Sequence, residues 1–248
     1  MHRGLLTVCA TLTTSTLLSG CTSSDSLQLK SSSSTISDQN APHASTPRPD
    51  FTQSSVQSSS GDDIQVWWPN GAITCSITYI SKTTGLTAGH CGEEGAAVYS
   101  HGNRIGTISV NYLLEGFGLD IAEIVLLPDV GNRVQPIQVG EHSQESAVFT
   151  NEADGQIEQG KLLSDEYSCQ RFSLNERPVF AYVQSSNLKL SPGDSGAPIY
   201  SSTGKLVALG QGGDGEGEST VTPLSLLDSA KSGDVTEVHK KAGWACDA

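Results

Sequence analysis

The chain has 248 residues and carries 14 Lys plus Arg against 27 Asp plus Glu, a net charge of −13. With no basic run to meet a phosphate backbone, nucleic acid is not an expected partner, and with no DxDxDG calcium loop neither a metal nor another cofactor is expected. The length allows one or two domains, but the first quarter is too poor in apolar residues to bury a core.

Residues 1–20 open with His2 and Arg3, continue through Leu5, Leu6, Val8, Leu17 and Leu18, and lack the flanks of a permanent membrane span, which reads as a signal peptide. The closing LLSGC resembles the bacterial lipoprotein signal, in which cleavage before the cysteine leaves a lipidated amino terminus. The corresponding position is Cys21, and the alternative is a secretory peptide that happens to contain a cysteine. Lipid at Cys21 would hold the protein on the outer face of the bacterial cell membrane, whereas the alternative would release it. Residues 21–61 are dominated by serine, threonine and proline and read as a disordered tether or, alternatively, a short propeptide.

Residues 62–248 are long enough for one domain with a substantial core. Strand-like runs follow one another between glycine and polar turns: AITCSITYI from 72, AAVYS from 96, RIGTISVNY from 104, DIAEIVLL from 120, VQPIQV from 134, SAVF from 146, GQIEQGKLL from 155, PVFAYVQ from 178, APIY from 197 and KLVALG from 205. Helical periodicity is confined to the end, where TPLSLLDSA turns once or twice and VTEVHKKAGW forms a short closing helix. The series predicts an all-β barrel or sandwich and excludes an open sheet with a helix after every strand.

Cys9 leaves with the signal peptide and Cys21 is assigned to lipid, so Cys75, Cys91, Cys169 and Cys246 remain and permit three pairings. The sixteen-residue step around two strand-like runs favours Cys75 with Cys91, and hence Cys169 with Cys246. The first loop alone would contribute roughly 3 kcal/mol by restricting the unfolded chain. Without paired CxxC spacing, and in an exported chain, zinc is the weaker reading of these thiols.

Three segments carry the chemistry. SPGDSGAP (191–198) packs two glycines and two prolines around Asp194 and Ser195, which is either an ordinary turn or a shaped loop holding a nucleophile. GLTAGHC (85–91) places His90 beside a cysteine, and GLDIAEIVLL (118–127) places Asp120 at the head of an apolar strand. Alone, His90 reads equally as a hydrogen-bonded structural histidine and Asp120 as a strand-start cap. The order His, Asp, Ser belongs to one class of serine hydrolase, and GDSGA is out of register with the GxSxG of the α/β-hydrolases.

With TAGHC, DIA and PGDSGAP as anchors, residues 64–238 resemble the chymotrypsin-fold serine proteases, closest in size and style to small secreted bacterial members of the streptogrisin and α-lytic protease type. The resemblance implies two antiparallel β-barrels packed together, with His90 and Asp120 from the first and Ser195 from the second as the catalytic triad. It implies an oxyanion hole at Gly193 and Ser195, a Cys75–Cys91 disulfide, and pocket walls at Lys189, Leu190, Ser191 and Pro192 and at Gln211, Gly212 and Gly213. A strand near residues 220–222 would lie behind them. Lys189 would then face a substrate carboxylate or solvent.

Peptide or protein substrates and serine endopeptidase activity follow from the same resemblance. The alternatives are a catalytically weak relative that binds peptides or a surface protein, and an esterase using the same triad. Three features depart from the family pattern. Ala197 stands where glycine is usual, and Gln211 stands where a serine commonly supports the aspartate, so one hydrogen bond is lost or replaced by an amide bond. No IVGG start supplies a cation for Asp194, which leaves Arg133, Lys161, Arg171 and Arg177 as candidates.

Overall fold

The computed structural model describes residues 58–68, 71–140, 147–151, 157–174 and 177–246. The signal peptide, Cys21 and nearly all of the tether lie outside these residues.

The first sheet is built from β1 (Asp63–Trp68), β2 (Gly71–Ser76), β3 (Thr78–Tyr79), β4 (Thr84–Thr87), β5 (Ala97–Ser100), β6 (Asn103–Asn111) and β7 (Ala122–Leu126), ordered β2-β1-β5-β6-β7-β4-β3. The second contains β8 (Ala147–Asn151), β9 (Ile157–Lys161), β10 (Ser168–Leu174), β11 (Arg177–Ser186), β12 (Pro198–Ser201), β13 (Leu206–Gly213) and β14 (Ser219–Pro223), ordered β10-β11-β14-β13-β12-β8-β9. Every strand pair is antiparallel, with one isolated parallel bridge at Val139 and Leu206. VQPIQV therefore contributes a bridge and not a strand. Among the described residues the α-helices are α1 (Pro128–Gly131), α2 (Leu227–Lys231) and α3 (Val235–Lys241), so TPLSLLDSA turns into α2 and VTEVHKKAGW holds α3, as expected.

Two closed barrels are not present. In the first sheet, β2 and β3 lie at opposite ends of the strand order and are joined in the chain only through Ile77, so the sheet curls back on itself but its end strands do not pair. In the second, β11 pairs with β10 over Arg177–Val183 but with β14 only over Gln184–Ser186. The ten-residue strand thus gives its first seven residues to β10 and its last three to β14, while Leu162, just after β9, reaches β11 through a single bridge to Ser186. A strand that changes partner spends part of its pairing outside the cylinder that closure would need.

Period-two alternation explains the curl. In β1 the side chains of Ile64 and Val66 are buried while Asp63, Gln65 and Trp67 are exposed. Ile64, Val66, Ile77, Val98, Ile108 and Ile124 form the core of the first sheet, and Val148, Leu188, Leu190, Ile199, Val207 and Val221 that of the second. A third cluster, with Leu86, Leu119, Ile121, Tyr182, Leu209 and Leu224, joins residues from both sheets to α2 and α3. Asp120 sits between Leu119 and Ile121 in this cluster, at the seam where the two sheets meet.

The disulfides are Cys75–Cys91 and Cys169–Cys246. The second spans 77 residues and ties β10 to the segment after α3. Chain-entropy reasoning gives such a loop about 4 kcal/mol. Urea unfolding of a Cys169→Ser, Cys246→Ser double variant is expected to show a loss of that order relative to the oxidised parent. A loss below about 1 kcal/mol would mean that β10 is held by its sheet alone.

Candidate active site

His90 lies in the 3₁₀ turn Gly89–Cys91 that follows β4. Its position is set by Asn111 at the end of β6, a buried side chain whose Nδ2 donates to Gly89 O at 2.7 Å and to Gly92 O at 2.6 Å. The Asn111 Oδ1 accepts from the N–H groups of Leu113 and Leu114, so all four hydrogen bonds of this amide are used in holding the histidine turn. Asp120 is fully buried and accepts twice from one residue: Oδ1 from the His90 backbone N–H and Oδ2 from His90 Nδ1, both at 2.7 Å. His90 Nε2 lies 2.9 Å from Ser195 Oγ.

Ser195 is carried by the loop between β11 and β12. The N–H of Asp194 donates to Ser191 O, and Gly193 has φ +111°, which is the signature of a type II turn with Pro192 and Gly193 at its centre. Proline presets the first central residue, and glycine alone tolerates the second at no steric cost. Gly196 follows with φ +92°, and a Cβ there would overlap Ser76 O and Thr87. The loop is held against the first sheet by three hydrogen bonds: Ser76 N–H to Ser195 O, Ser76 Oγ to Gly193 O and Thr78 Oγ1 to Gly196 O. Among the described residues the N–H groups of Gly193 and Ser195 donate to no protein acceptor. Ala197 is buried with its N–H bonded to Asp194 O, so the extra methyl group leaves the turn intact.

The Ser195 hydroxyl has two acceptors within reach and one proton: His90 Nε2, and Gln211 O at 3.0 Å. Burial of His90 disfavours its charged form, yet the charge of Asp120 and the hydrogen bond to it together outweigh burial and raise the pKa above 6.5. In the protonated state Nε2–H donates to Oγ and the hydroxyl donates to Gln211 O. On deprotonation the hydroxyl turns to Nε2.

Gln211 is the bulged residue of β13, where the register to β14 shifts between Gly210 and Gly212. The bulge aims its carbonyl at Ser195, while its side-chain amide is buried and makes no hydrogen bond among the described residues. Of the two outcomes expected at this position, the lost hydrogen bond is the one observed, since the amide does not reach Asp120. Asp194 accepts from the Ser191 N–H at 2.7 Å, and none of Arg133, Lys161, Arg171 and Arg177 forms an ion pair with it among the described residues. Burial raises its pKa, the Ser191 hydrogen bond opposes this, and nearby Asp63 adds to it.

The two expected pocket walls touch at Leu190 and Gly213, and Gly212, Gly213 and Thr220 border a cleft. Gly215 N–H donates to Leu190 O at 3.0 Å, and a Cβ on Gly213 would lie 2.5 Å from that same oxygen. Leu190 is buried in the core of the second sheet, while Lys189, Ser191 and Pro192 are exposed. A cleft of about 640 Å³ opens beside Gly212 and Gly213, bordered by Gln170, Ser185, Asp214 and Glu218, so its charge is negative. Among the described residues no group of three or more His, Cys, Asp or Glu side chains is arranged to hold a metal.

Sequence reasoning passed over Asn111 and also Phe172, whose ring stacks on His90 with centroids 5.8 Å apart and planes at 20°. Asn111 closed a strand-like run as its one buried amide, a usable signal. Phe172 lies on β10, a strand whose SCQRFSL carries no clear alternation.

The profile of the family described as Trypsin matches residues 42–227, well over half of the chain. The chain belongs to the trypsin family. Among solved structures it is similar to a chymotrypsin of Cellulomonas bogoriensis (20% identity, 70% of this chain and 94% of that one, TM-score 0.52) and to protease A of Thermobifida fusca (21%, 71% and 97%, 0.54). A Nocardiopsis protease is similar at 18% identity, over 69% of this chain and 96% of that one, with a TM-score of 0.51. At these identities the likeness is one of fold. No curated protein matches this trypsin-family chain.

Proposed function

We propose that this trypsin-family chain is a serine endopeptidase with Ser195 as nucleophile, His90 as general base and acid, and Asp120 as the group that orients His90. The observation that carries the reading is the unbroken hydrogen-bonded series Asp120, His90, Ser195 at 2.7 and 2.9 Å. With Nδ1–H given to Asp120, the Nε2 lone pair of neutral His90 faces the hydroxyl. Ser195 Oγ attacks the scissile carbonyl carbon while its proton passes to Nε2, and the N–H groups of Gly193 and Ser195 receive the oxyanion. Each such donor contributes about 3 kcal/mol in the transition state. Collapse of the intermediate breaks the C–N bond, and Nε2 returns the proton to the departing amine. Water then attacks the acyl-enzyme by the same route and frees Ser195.

An extended peptide suits the site because the hydrogen bonds on the β12 side of β13 end at Gly210, which leaves Gln211–Gly213 with an unpaired edge beside Ser195 among the described residues. Gln211, Gly212 and Gly213 would pair with the substrate backbone.

A second reading, a catalytically weak relative that binds a peptide or a surface protein, is favoured by the hydrogen bond from Gly215 N–H to Leu190 O between the pocket walls and by the unbonded amide of Gln211. Exposure of the full chain and of a Ser195→Ala form to a fluorophosphonate probe separates the two. Labelling of the parent alone supports the enzyme, and a folded parent that takes no label supports the binding protein. Mapping of cuts in mixed peptides beside turnover of small esters then distinguishes endopeptidase from esterase.

The reading includes export. Two disulfides suit an oxidising compartment, the domain has the size and style of the streptogrisin and α-lytic protease type, and LLSGC places a lipid on Cys21. Residues 22–61 then tether the domain to the membrane. Mass analysis of the membrane-released amino terminus is expected to find diacylglycerol on Cys21, and an unmodified soluble product starting further along the chain would overturn the anchor.

A further inference from the structure

The two disulfides differ in what a reagent in solvent can reach. Cys75 and Cys91 are fully buried in the core of the first sheet, whereas Cys169 is exposed and Cys246 is partly buried. Thiol–disulfide exchange needs a thiolate at the sulfur it attacks, so access decides which bond is labile. The accessible bond holds a strand that borders the reacting groups. Among the described residues β10 ends its sheet and pairs with β11 alone. Its alternate side chains face the site. Gln170 borders the cleft of about 640 Å³, and Phe172 and Leu174 border another against His90, with the Phe172 ring stacked on the imidazole. Cys169 belongs to the opposite face, in register with Tyr182 of β11. Tyr182 has ties of its own: its N–H donates to Gly118 O, and its buried hydroxyl lies 2.8 Å from His239 Nδ1 on α3. β11 is therefore fixed to the rest of the fold without the disulfide, whereas β10 is fixed beyond β11 by the disulfide.

We propose that Cys169–Cys246 is a thiol–disulfide switch on the site. Closed, it keeps Phe172 over His90 and Gln170 at the cleft wall; open, it lets β10 move off, and peptide cleavage falls. The proposal rests on the endopeptidase reading above and adds a regulation to it. Opening is a two-electron reduction by a dithiol. One thiolate of the dithiol attacks the exposed Cys169 sulfur, and Cys246 leaves as a thiolate and takes up a proton. The second thiol of the reagent then attacks the mixed disulfide, which frees Cys169 as a thiol and leaves the reagent as a disulfide. Closing is the reverse exchange, with a small disulfide as the oxidant.

Full-length oxidised protein, first checked for fluorophosphonate labelling, would be treated with dithiothreitol in native buffer and its free thiols alkylated. Peptide mass mapping is expected to find new labels on Cys169 and Cys246 and none on Cys75 or Cys91. In the reduced protein kcat/KM for an extended peptide should fall about tenfold or more, the scale of coupling between two sites, and should return on reoxidation with oxidised glutathione. Amide hydrogen exchange should quicken across β10 but not across Gln184–Ser186, which pair with β14. A Cys169→Ser, Cys246→Ser variant should match the reduced protein and ignore dithiothreitol. If that variant fails to fold, the cycle of reduction and reoxidation in the parent decides. A reduced protein that cleaves at the oxidised rate, or thiols that appear only in denaturant, overturns the switch. So does exchange that quickens throughout the second sheet, since the bond is then a staple for the whole fold. A folded chain that takes no fluorophosphonate label fails at the endopeptidase reading itself, and the switch falls with it.

Discussion

Replacing Ser195 with Ala is expected to lower kcat/KM for peptide cleavage by about a million-fold, and adding His90→Ala should lower it little further. Nucleophile and base act as one unit. Without Oγ there is no proton for Nε2 to take, and without Nε2 the hydroxyl, at its free pKa, is a weak nucleophile whose proton is given to Gln211 O. The residual rate over water would come from the N–H groups of Gly193 and Ser195, which neither substitution removes. Single-turnover kinetics with an activated peptide substrate would measure Ser195→Ala, His90→Ala and the double variant. Additive losses, or a Ser195→Ala rate within tenfold of the parent, would remove Ser195 from the mechanism.

Asp120→Asn is expected to cost about ten-thousand-fold in kcat near neutral pH. Asp120 accepts from both His90 N–H and Nδ1–H, and an amide can present its NH₂ group to Nδ1, which reverses the tautomer and points an Nε2–H at Ser195. The pH profile gives an independent readout. In the parent, activity requires neutral His90 and falls as pH drops through a pKa that Asp120 has raised above 6.5 against the opposing effect of burial. With Asn at this position only burial remains, so the acidic limb should move down. Stability runs the other way. A histidine whose folded pKa is raised contributes stability that is fully present below its unfolded value of 6.5 and is lost as pH rises through the folded value. Thermal unfolding and kcat/KM measured across pH 5 to 9 should therefore show opposite trends through the same titration. An acidic limb that Asp120→Asn leaves in place would assign the titration to another group.

The unpaired Asp194 bears on how the nucleophile loop is held. In the described residues its carboxylate is satisfied by the Ser191 N–H inside a four-residue turn, and the loop is fixed from outside by Ser76 and Thr78. The anchor is thus a set of neutral hydrogen bonds to the first sheet where an ion pair was expected.

Much of the site is legible in short segments because short segments dictate local geometry. The proline and glycine of SPGDSGAP specify a type II turn whatever surrounds it, and that turn presents Ser195 and its two N–H groups. Leu119 and Ile121 on either side of Asp120 announce a carboxylate carried into the core, and the cysteine after His90 marks a tied-down turn. The all-β character follows likewise from composition and period. Closure of the sheets, the fit of the pocket walls and the roof over His90 were settled only by the tertiary structure. They depend on where β11 leaves β14 for β10, on a bulge at Gln211, and on Phe172 reaching across from a strand with no alternation of its own. The two disulfides mark the same boundary: the pairing could be inferred from spacing, but that Cys169–Cys246 anchors the strand carrying Phe172 could not. Local backbone preferences act over three or four residues, whereas strand partnership is decided by competition among distant edges for the same hydrogen bonds and buried area, and no single segment of the chain holds that information.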